Sequence, residues 1–195
     1  MFNGIVYNTG KVKFIKKESN NCFVGINSNL NFNKTDIGSS ISCNGVCLTL
    51  TNIKKKIVFF YISKETLNKS NLKFLKMHDI INLEKSLIYG QKISGNFIQG
   101  HVDTTASIKK IILQDKTWIV TFLLKDKKLS KFLVEKASIS INGVSLTLSK
   151  VKSHSFVISI IPHTLVLTNL KNLKLKNIVN VELDIFAKYI SKISK

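Results

Sequence analysis

The sequence predicts an all-β protein built from two tandem copies of one domain, with a single α-helix at its C-terminal end. Three observations predict it. The stretch SISCNGVCLTL at 40–50 returns as SISINGVSLTL at 138–148. ETLNKSNLKFLK from Glu65 returns as HTLVLTNLKNLK from His163, and INLE ending at Glu84 returns as VNVE ending at Glu182, all with one spacing. A shared offset over three blocks marks a duplicated domain, and a repeat of about 100 residues is too long for a solenoid unit. Second, short runs alternate apolar and polar residues, the period of half-buried strands. Third, turn signals such as Asn44-Gly45 and Asn142-Gly143 punctuate those runs at short intervals, with little helical periodicity.

Taken in order, MFNGIV at 1–6 matches FIQGHV at 97–102. Each has a glycine two residues before a valine, where a side chain would block the close approach of a ligand or strand. Val12 and Phe14 alternate with lysines in 11–15, a half-buried strand; 22–26 is the next strand, and 27–39, rich in Asn, Gly and Ser, is loop. Beyond Asn44-Gly45, Val46, Leu48 and Leu50 face the core while Cys47, Thr49 and Thr51 face out. The apolar run 57–62 predicts a strand buried on both faces. Residues 65–75 read as a polar turn with a short helix, and 79–84 as the last strand of the half. YGQKISG at 89–95 is assigned to a linker, dividing the chain into domains at 1–90 and 97–184. The second half repeats the order, with strands at 106–112 and 116–124. The spacing of Leu129, Phe132 and Leu133 predicts a helix at 128–135. The second signature follows at 138–149, then a strand at 156–161 stopped by Pro162 and a closing strand at 177–183. Asp184 caps a helix over 185–195. Its stripe of Ile185, Tyr189 and Ile193, with Phe186 and Ile190 alongside, has no other segment in the sequence to cover it. About six short strands per half predict a small closed barrel or a sandwich.

The chain has 195 residues and a net charge of +19, which raises nucleic acid as a partner. The basic residues, however, are all lysine and scattered through loops and strand edges, whereas base and phosphate readers rely on Arg forks and a concentrated face. The phenylalanines fall in apolar runs such as Val58-Phe59-Phe60 rather than on one stacking face. Nucleic-acid binding is therefore not expected. Cys22, Cys43 and Cys47 are too few, and odd in number, for a disulfide framework, which points to a reducing compartment. Cys43, Cys47 and His78 lack the second pair of ligands that a metal site needs. The N-terminus runs straight into folded pattern, without a signal segment or a membrane-length apolar run, so no membrane role and a cytoplasmic location are expected.

Candidate chemistry lies where the copies differ. Cys47 becomes Ser145, each beside an outward threonine, Thr49 or Thr147, so two related sites carry different nucleophile-sized groups. Ile5 becomes His101 at a glycine-bracketed turn, a place suited to proton transfer. Glu65 becomes His163, while the following Thr66 and Thr164 are kept. No Walker loop, Rossmann fingerprint or metal-ligand cluster occurs, so neither metal nor cofactor is expected. The residues alone give a duplicated barrel with two related small-molecule sites.

At MFNGIV, NGVCLTL, KETL, INLE, IQGHVD, NGVSLTL, IPHTLVLTNL and VNVELD followed by AKY, the chain resembles riboflavin synthase of the alpha-chain type over essentially its full length. The resemblance implies two Greek-key barrels of six strands and a homotrimer joined through the C-terminal helix. It implies a cofactor-free exchange of a four-carbon unit between two molecules of 6,7-dimethyl-8-ribityllumazine, each site lying between the N-terminal barrel of one subunit and the C-terminal barrel of its neighbour. Carried over by position, one half-site takes Gly4, Ile5 and Val6 with Cys47, Leu48 and Thr49 and the run Tyr61, Ile62, Ser63, Lys64, Glu65 and Thr66. The other takes Gly100, His101 and Val102 with Ser145, Leu146 and Thr147 and the run Ile160, Ile161, Pro162, His163, Thr164 and Leu165. Lys136 corresponds to a lysine that reaches a ligand in the neighbouring site. Cys47, His101, Ser145 and Thr147 are expected to handle protons and addition, with backbone amides stabilising the anion. Asn142 stands where an acidic residue is common, near the second half-site. Lumazine-carrying antenna proteins share this fold without turnover; the intact second half-site favours the enzyme. Association with lumazine synthase is left open.

Overall fold

A computed structural model describes residues 1–193; positions 194 and 195 of the expected terminal helix lie outside the described residues. The first half forms β1 (Asn8–Lys17), β2 (Asn21–Ser28), β3 (Ser40–Cys43), β4 (Val46–Lys54), β5 (Ile57–Ser63), α1 (Lys64–Lys69) and β6 (Ile80–Lys85). The second forms β7 (Thr104–Gln114), β8 (Thr117–Leu124), β9 (Ser138–Ile141), β10 (Val144–Lys152), β11 (Ser155–Ile160), α2 (Pro162–Leu167) and β12 (Ile178–Leu183), followed by α3 (Ile185–Ile193). Each half is a closed antiparallel barrel, β1-β2-β5-β4-β3-β6 and β10-β11-β8-β7-β12-β9, the same Greek-key order written from different starting strands. Bulges recur at matching places: Val12/Phe14 and Ile108/Lys110, Leu50/Asn52 and Leu148/Lys150. They sharpen the bend that so small a barrel requires.

Alternation along the strands fills each interior. Val12, Ile26, Leu50, Phe60 and Ile81 pack in the first barrel; Ile108, Phe122, Ile141, Phe156 and Val181 pack in the second, where Phe122 stacks on Phe156 at 5.2 Å. The expectation that 57–62 is buried on both faces fails. In β5 only Val58, Phe60 and Ile62 point inward, because a closed barrel has one interior face. Phe59 and Tyr61 point out and pack edge-on against Phe14 and Phe23, with ring centroids at 6.1 and 5.1 Å. The α-helix expected at 128–135 is a 3₁₀ turn, Lys127–Phe132, capped by Asp126, whose side chain accepts from the Lys128 amide. The three-residue spacing of Leu129 and Phe132 fits three residues per turn as well as it fits an α-turn. The helix at the tail is present, and Asp184 Oδ1 accepts from the Phe186 amide at 2.8 Å. Among the described residues, no helix is long and apolar enough to cross a membrane.

Two features tie the barrels together about a pseudo-twofold axis. Where the Asn-Gly turns meet, a Cβ on Gly45 would lie 2.6 Å from the backbone nitrogen of Gly143. Around them runs a reciprocal amide network. Asn82 Nδ2 donates to Asn142 O at 3.0 Å, and Asn180 Nδ2 donates to Asn44 O at 2.8 Å. Asn44 Oδ1 accepts from the Asn82 amide and Asn169 Nδ2; Asn142 Oδ1 accepts from the Asn180 amide and Asn71 Nδ2. Buried polar groups that share partners across the interface join the two barrels into one unit. The second feature is a pair of straps, residues 1–7 and 97–103, that precede the first strand of each barrel. They bridge each other, Phe2 N–H donating to Ile98 O at 2.7 Å and Ile98 N–H to Phe2 O at 3.2 Å.

Candidate active site

The straps exchange partners. Val6, from the first half, is buried in the core of the second barrel, while Val102 packs against the core of the first. The Cys47 amide donates to Gly100 O at 2.8 Å, and the Ser145 amide donates to Gly4 O at 2.9 Å. The two half-sites read from the sequence are therefore regrouped. Gly100, His101 and Val102 stand beside Cys47, and Gly4, Ile5 and Val6 stand beside Ser145. A repeat cannot say whether a segment packs on its own copy or its sister, because both copies offer the same receptor strand. The glycines make the contact possible: Gly100 has φ +80°, and a Cβ there would meet the Cys47 Cβ at 2.6 Å and its nitrogen at 2.8 Å.

On the first barrel this crossing closes a cavity of about 250 Å³ lined by Cys47, Glu65, Thr66, Gly100, His101 and Val102, with Val46, Lys69 and Ser70. The N-terminus of α1 is placed by Ser63, which caps the helix by accepting from the Thr66 amide at 3.2 Å. The same cap holds the Thr66 hydroxyl 3.0 Å from Ser63 Oγ. Glu65 and Lys69 pair across one helical turn at 3.5 Å, both exposed. His101 is exposed and Cys47 half-buried, so imidazole and thiol both reach solvent. The Cys47 amide is already spent on Gly100 O, and the thiol, the imidazole, the Thr66 hydroxyl and the exposed Glu65–Lys69 pair remain at this wall to serve a reacting ligand. Tyr61 and Lys64 are exposed and do not line the cavity, and Leu48 and Ile62 point into the barrel core. Thr49 lies two residues along β4 on the exposed face.

The second barrel repeats the frame with other groups. Ser145 and Leu146 are half-buried and Thr147 exposed on β10; Ile161, Pro162 and His163 are exposed at the start of α2, with Thr164 behind them. Ile160 and Leu165 are core residues, and Trp118 lies opposite Ile160 across the β8–β11 ladder. Lys136 sits at φ +69° in the turn before β9, its amide bonded to Leu148 O at 2.9 Å and its side chain exposed.

Two residues in direct contact with the straps escaped the sequence reading. Glu84 Oε1 accepts from the Asn3 amide at 2.7 Å, and the Gly4 amide reaches both its oxygens. Glu182 accepts from the Gln99 amide at 2.7 Å and the Gly100 amide at 2.9 Å. Burial pushes the Glu84 carboxyl up to about 7 against the pull of those amides, and it pushes Glu182 up likewise. The signal was available: both close the repeated INLE and VNVE blocks, and each follows two core positions on a strand where alternation alone does not demand an acid. Cys43, by contrast, is wholly buried, and burial pushes its thiol far up, so of this pair Cys47 is the reactive one. His78 is not near them; it lines a larger cavity of about 530 Å³ with Asn44, Asn71, Asn142, Asn169 and Lys176. Asn142 thus belongs to the inter-barrel network and this second cavity. Only its oxygen is used there, a role an acid fills equally well.

The family model for the lumazine binding domain matches twice, at 3–86 and 99–184, so each barrel with its strap is a lumazine-binding domain. Riboflavin synthase of Actinobacillus pleuropneumoniae is 37% identical over 194 residues, covering 98% of this chain and 89% of that one. Riboflavin synthase of Buchnera aphidicola is 37% identical over 196 residues, covering 100% and 94%, and that of Escherichia coli K12 is 36% identical over 186 residues, covering 94% and 87%. The crystal structure of LumP complexed with riboflavin superposes with a TM-score of 0.83 at 26% identity, covering 94% of this chain and 99% of that one. LumP complexed with 6,7-dimethyl-8-(1'-D-ribityl)lumazine gives 0.80 at 26% identity, covering 93% and 98%. The chain belongs to the riboflavin synthase family.

Proposed function

We propose that the chain is a riboflavin synthase: it passes a four-carbon unit from one 6,7-dimethyl-8-ribityllumazine to another, releasing riboflavin and 5-amino-6-(ribitylamino)uracil. The observation that carries the reading is the meeting of Cys47 and His101, from different halves of the chain, in one cavity of a protein whose full-length relatives are riboflavin synthases. The exchange is balanced between two identical molecules, so no outside oxidant or reductant enters. Its hard steps are removal of a proton from a ring methyl, attack by the resulting carbanion on the second ring, and protonation of the departing amine. His101 serves as the proton carrier. Cys47 at one half-site, and Ser145 with Thr147 at the other, add to or hydrogen-bond the rings as charge develops. Holding the two rings in contact supplies much of the remaining rate.

The Cys47 and Ser145 half-sites belong to separate barrels, so the reaction needs two facing surfaces. A homotrimer that sets the first barrel of one subunit against the second barrel of the next provides them, with Lys136 reaching across. The exposed Phe186, Tyr189 and Ile193 on α3 support that joint. The likeness to LumP with bound lumazine favours one rival, a carrier that holds the ligand without turnover. Purified protein mixed with the lumazine alone separates the two. One riboflavin formed for every two lumazines lost is the result expected, and a stable fluorescent complex without riboflavin would overturn the proposal.

A further inference from the structure

We infer that Glu84 and Glu182 are positioning residues that act across the barrels: each sets the half-site of the barrel it does not belong to. The geometry forms two chains of contacts. Glu182, on β12 of the second barrel, grips the strap at the Gln99 and Gly100 amides. The carbonyl of the same Gly100 accepts from the Cys47 amide of the first barrel, and the next residue is His101 in the Cys47 cavity. Glu84, on β6 of the first barrel, grips the other strap at Asn3 and Gly4. The carbonyl of Gly4 accepts from the Ser145 amide of the second barrel. A carboxylate that accepts two backbone amides makes strong, charge-assisted bonds and fixes a segment that has no ladder of its own. Between the carboxylate and the catalytic strand the strap offers a single peptide, so displacement at one end is carried to the other.

Burial alone does not account for these acids. A buried carboxylate has to be stabilised by partners. Here the strap amides are those partners, helped at Glu182 by Lys188, which also pairs with Asp103 at 3.0 Å, and at Glu84 by the charge of the N-terminal amine. Glutamine in place of either acid keeps one carbonyl acceptor but turns an amide donor toward a strap amide. The strap loosens while the volume of the side chain is preserved.

The inference deepens the proposed reaction and rests on that reading for its ligand, and the chain carries a native reporter for each half-site. Cys47 is the half-buried thiol, Cys22 and Cys43 being buried, so alkylation of Cys47 and its protection by ligand report the first half-site. Trp118, the only tryptophan, packs on the core of the second barrel opposite Ile160, which leads into the second half-site, so the shift of its emission maximum, rather than quenching by energy transfer, reports the second. The experiment titrates 6,7-dimethyl-8-ribityllumazine into wild type, Glu182→Gln and Glu84→Gln, and also measures the Cys47 alkylation rate without ligand. Glu182→Gln raises the lumazine concentration that half-protects Cys47 about tenfold, speeds alkylation of the free protein, and leaves the Trp118 curve within about twofold of wild type. Glu84→Gln does the reverse: it shifts the Trp118 curve and leaves Cys47 alone. The inference is overturned if each variant disturbs the reporter of its own barrel, if both reporters move together in both variants, or if neither moves. Should the wild type bind lumazine at both reporters yet make no riboflavin, the proposed reaction fails while the cross-barrel assignment is still decided. Should it bind none, the alkylation rates decide it.

Discussion

The two barrels share a frame and differ in what they hold up to a ligand. Each has the same strand order, bulges in the same places, an Asn-Gly turn at the shared axis, a strap glycine bonded to the central strand, and an acid gripping the strap. Where the first half-site carries Cys47, Glu65, Lys69 and His101, the second carries Ser145, His163, Leu167 and Ile5. Duplication preserved the groups that set backbone position, and with them Thr66 and Thr164, while the thiol, the imidazole and the charged pair of the first half-site have no counterpart of the same kind in the second. For a reaction between two identical molecules that is the expected division. The molecules must sit in equivalent cradles, yet one gives up four carbons and the other receives them, so the side chains around them need not match.

The comparison breaks most sharply at the histidines. His101→Gln should lower kcat by about 10²–10³-fold by removing the proton carrier, while His163→Gln, at the open start of α2, leaves turnover within a few-fold. Riboflavin formation followed by absorbance reads both, and equal losses would mean that the halves are catalytically alike. The strap glycines come next. Gly100→Ala sets a Cβ 2.6 Å from the Cys47 Cβ and 2.8 Å from its nitrogen, and Gly4→Ala meets the Ser145 Cβ at 2.7 Å and its nitrogen at 3.0 Å, with the buried Ile98 besides. Each should therefore cost about 100-fold in turnover, with left-handed backbone strain of about 1–2 kcal/mol visible in Tm, and a large loss at one glycine alone would mean that only one strap contact matters for turnover.

The acids sharpen the comparison through pH. The Glu84 carboxyl is raised in the folded protein to about 7 from an ordinary 4.5. Between these values the folded state binds the extra proton, so stability falls as pH rises, and the contribution present at low pH is gone above the folded value. Denaturant unfolding should show a loss across roughly pH 4.5 to 8 to which Glu84 contributes about 2–3 kcal/mol; Glu84→Gln removes that part and leaves what Glu182, also raised by burial, contributes. An undiminished loss in the variant would assign the titration elsewhere. The smallest effect is expected at the signature itself. Ser145→Cys and Cys47→Ser change little volume and should leave binding intact. Ser145→Cys should slow turnover about tenfold, because a thiol hydrogen-bonds a developing anion weakly. Near-wild-type rates for both variants would place the chemistry on His101 and the backbone.

Much of this was legible in the sequence, for definite reasons. Closely similar blocks at one spacing revealed the duplication, and period-two alternation around the Asn-Gly turns showed which way Cys47 and Ser145 point. The divergence of His101 from Ile5 marked the residue proposed as the proton carrier. What was not legible depends on three-dimensional closure. The outward faces of Phe59 and Tyr61 read as buried because an apolar run does not say which residues will find an aromatic partner outside the barrel. The crossing of the straps was invisible because a segment facing two equivalent receptors carries no local sign of its choice. Glu84 and Glu182 read as ordinary residues of closing strands, since nothing in one dimension shows that two amides of a distant strap converge on a carboxylate.

The crossing is the claim on which the rest depends, and one measurement reads it directly. With protonated glycine in otherwise deuterated protein, nuclear Overhauser contacts from glycine Hα protons to strand amides report which strap lies on which barrel. The account predicts Gly100 Hα to the Cys47 amide and Gly4 Hα to the Ser145 amide. Contacts of Gly4 with Cys47 and of Gly100 with Ser145 in their place would mean that each strap stays on its own barrel, and the half-sites, the cross-barrel acids and the roles assigned to them would all have to be regrouped.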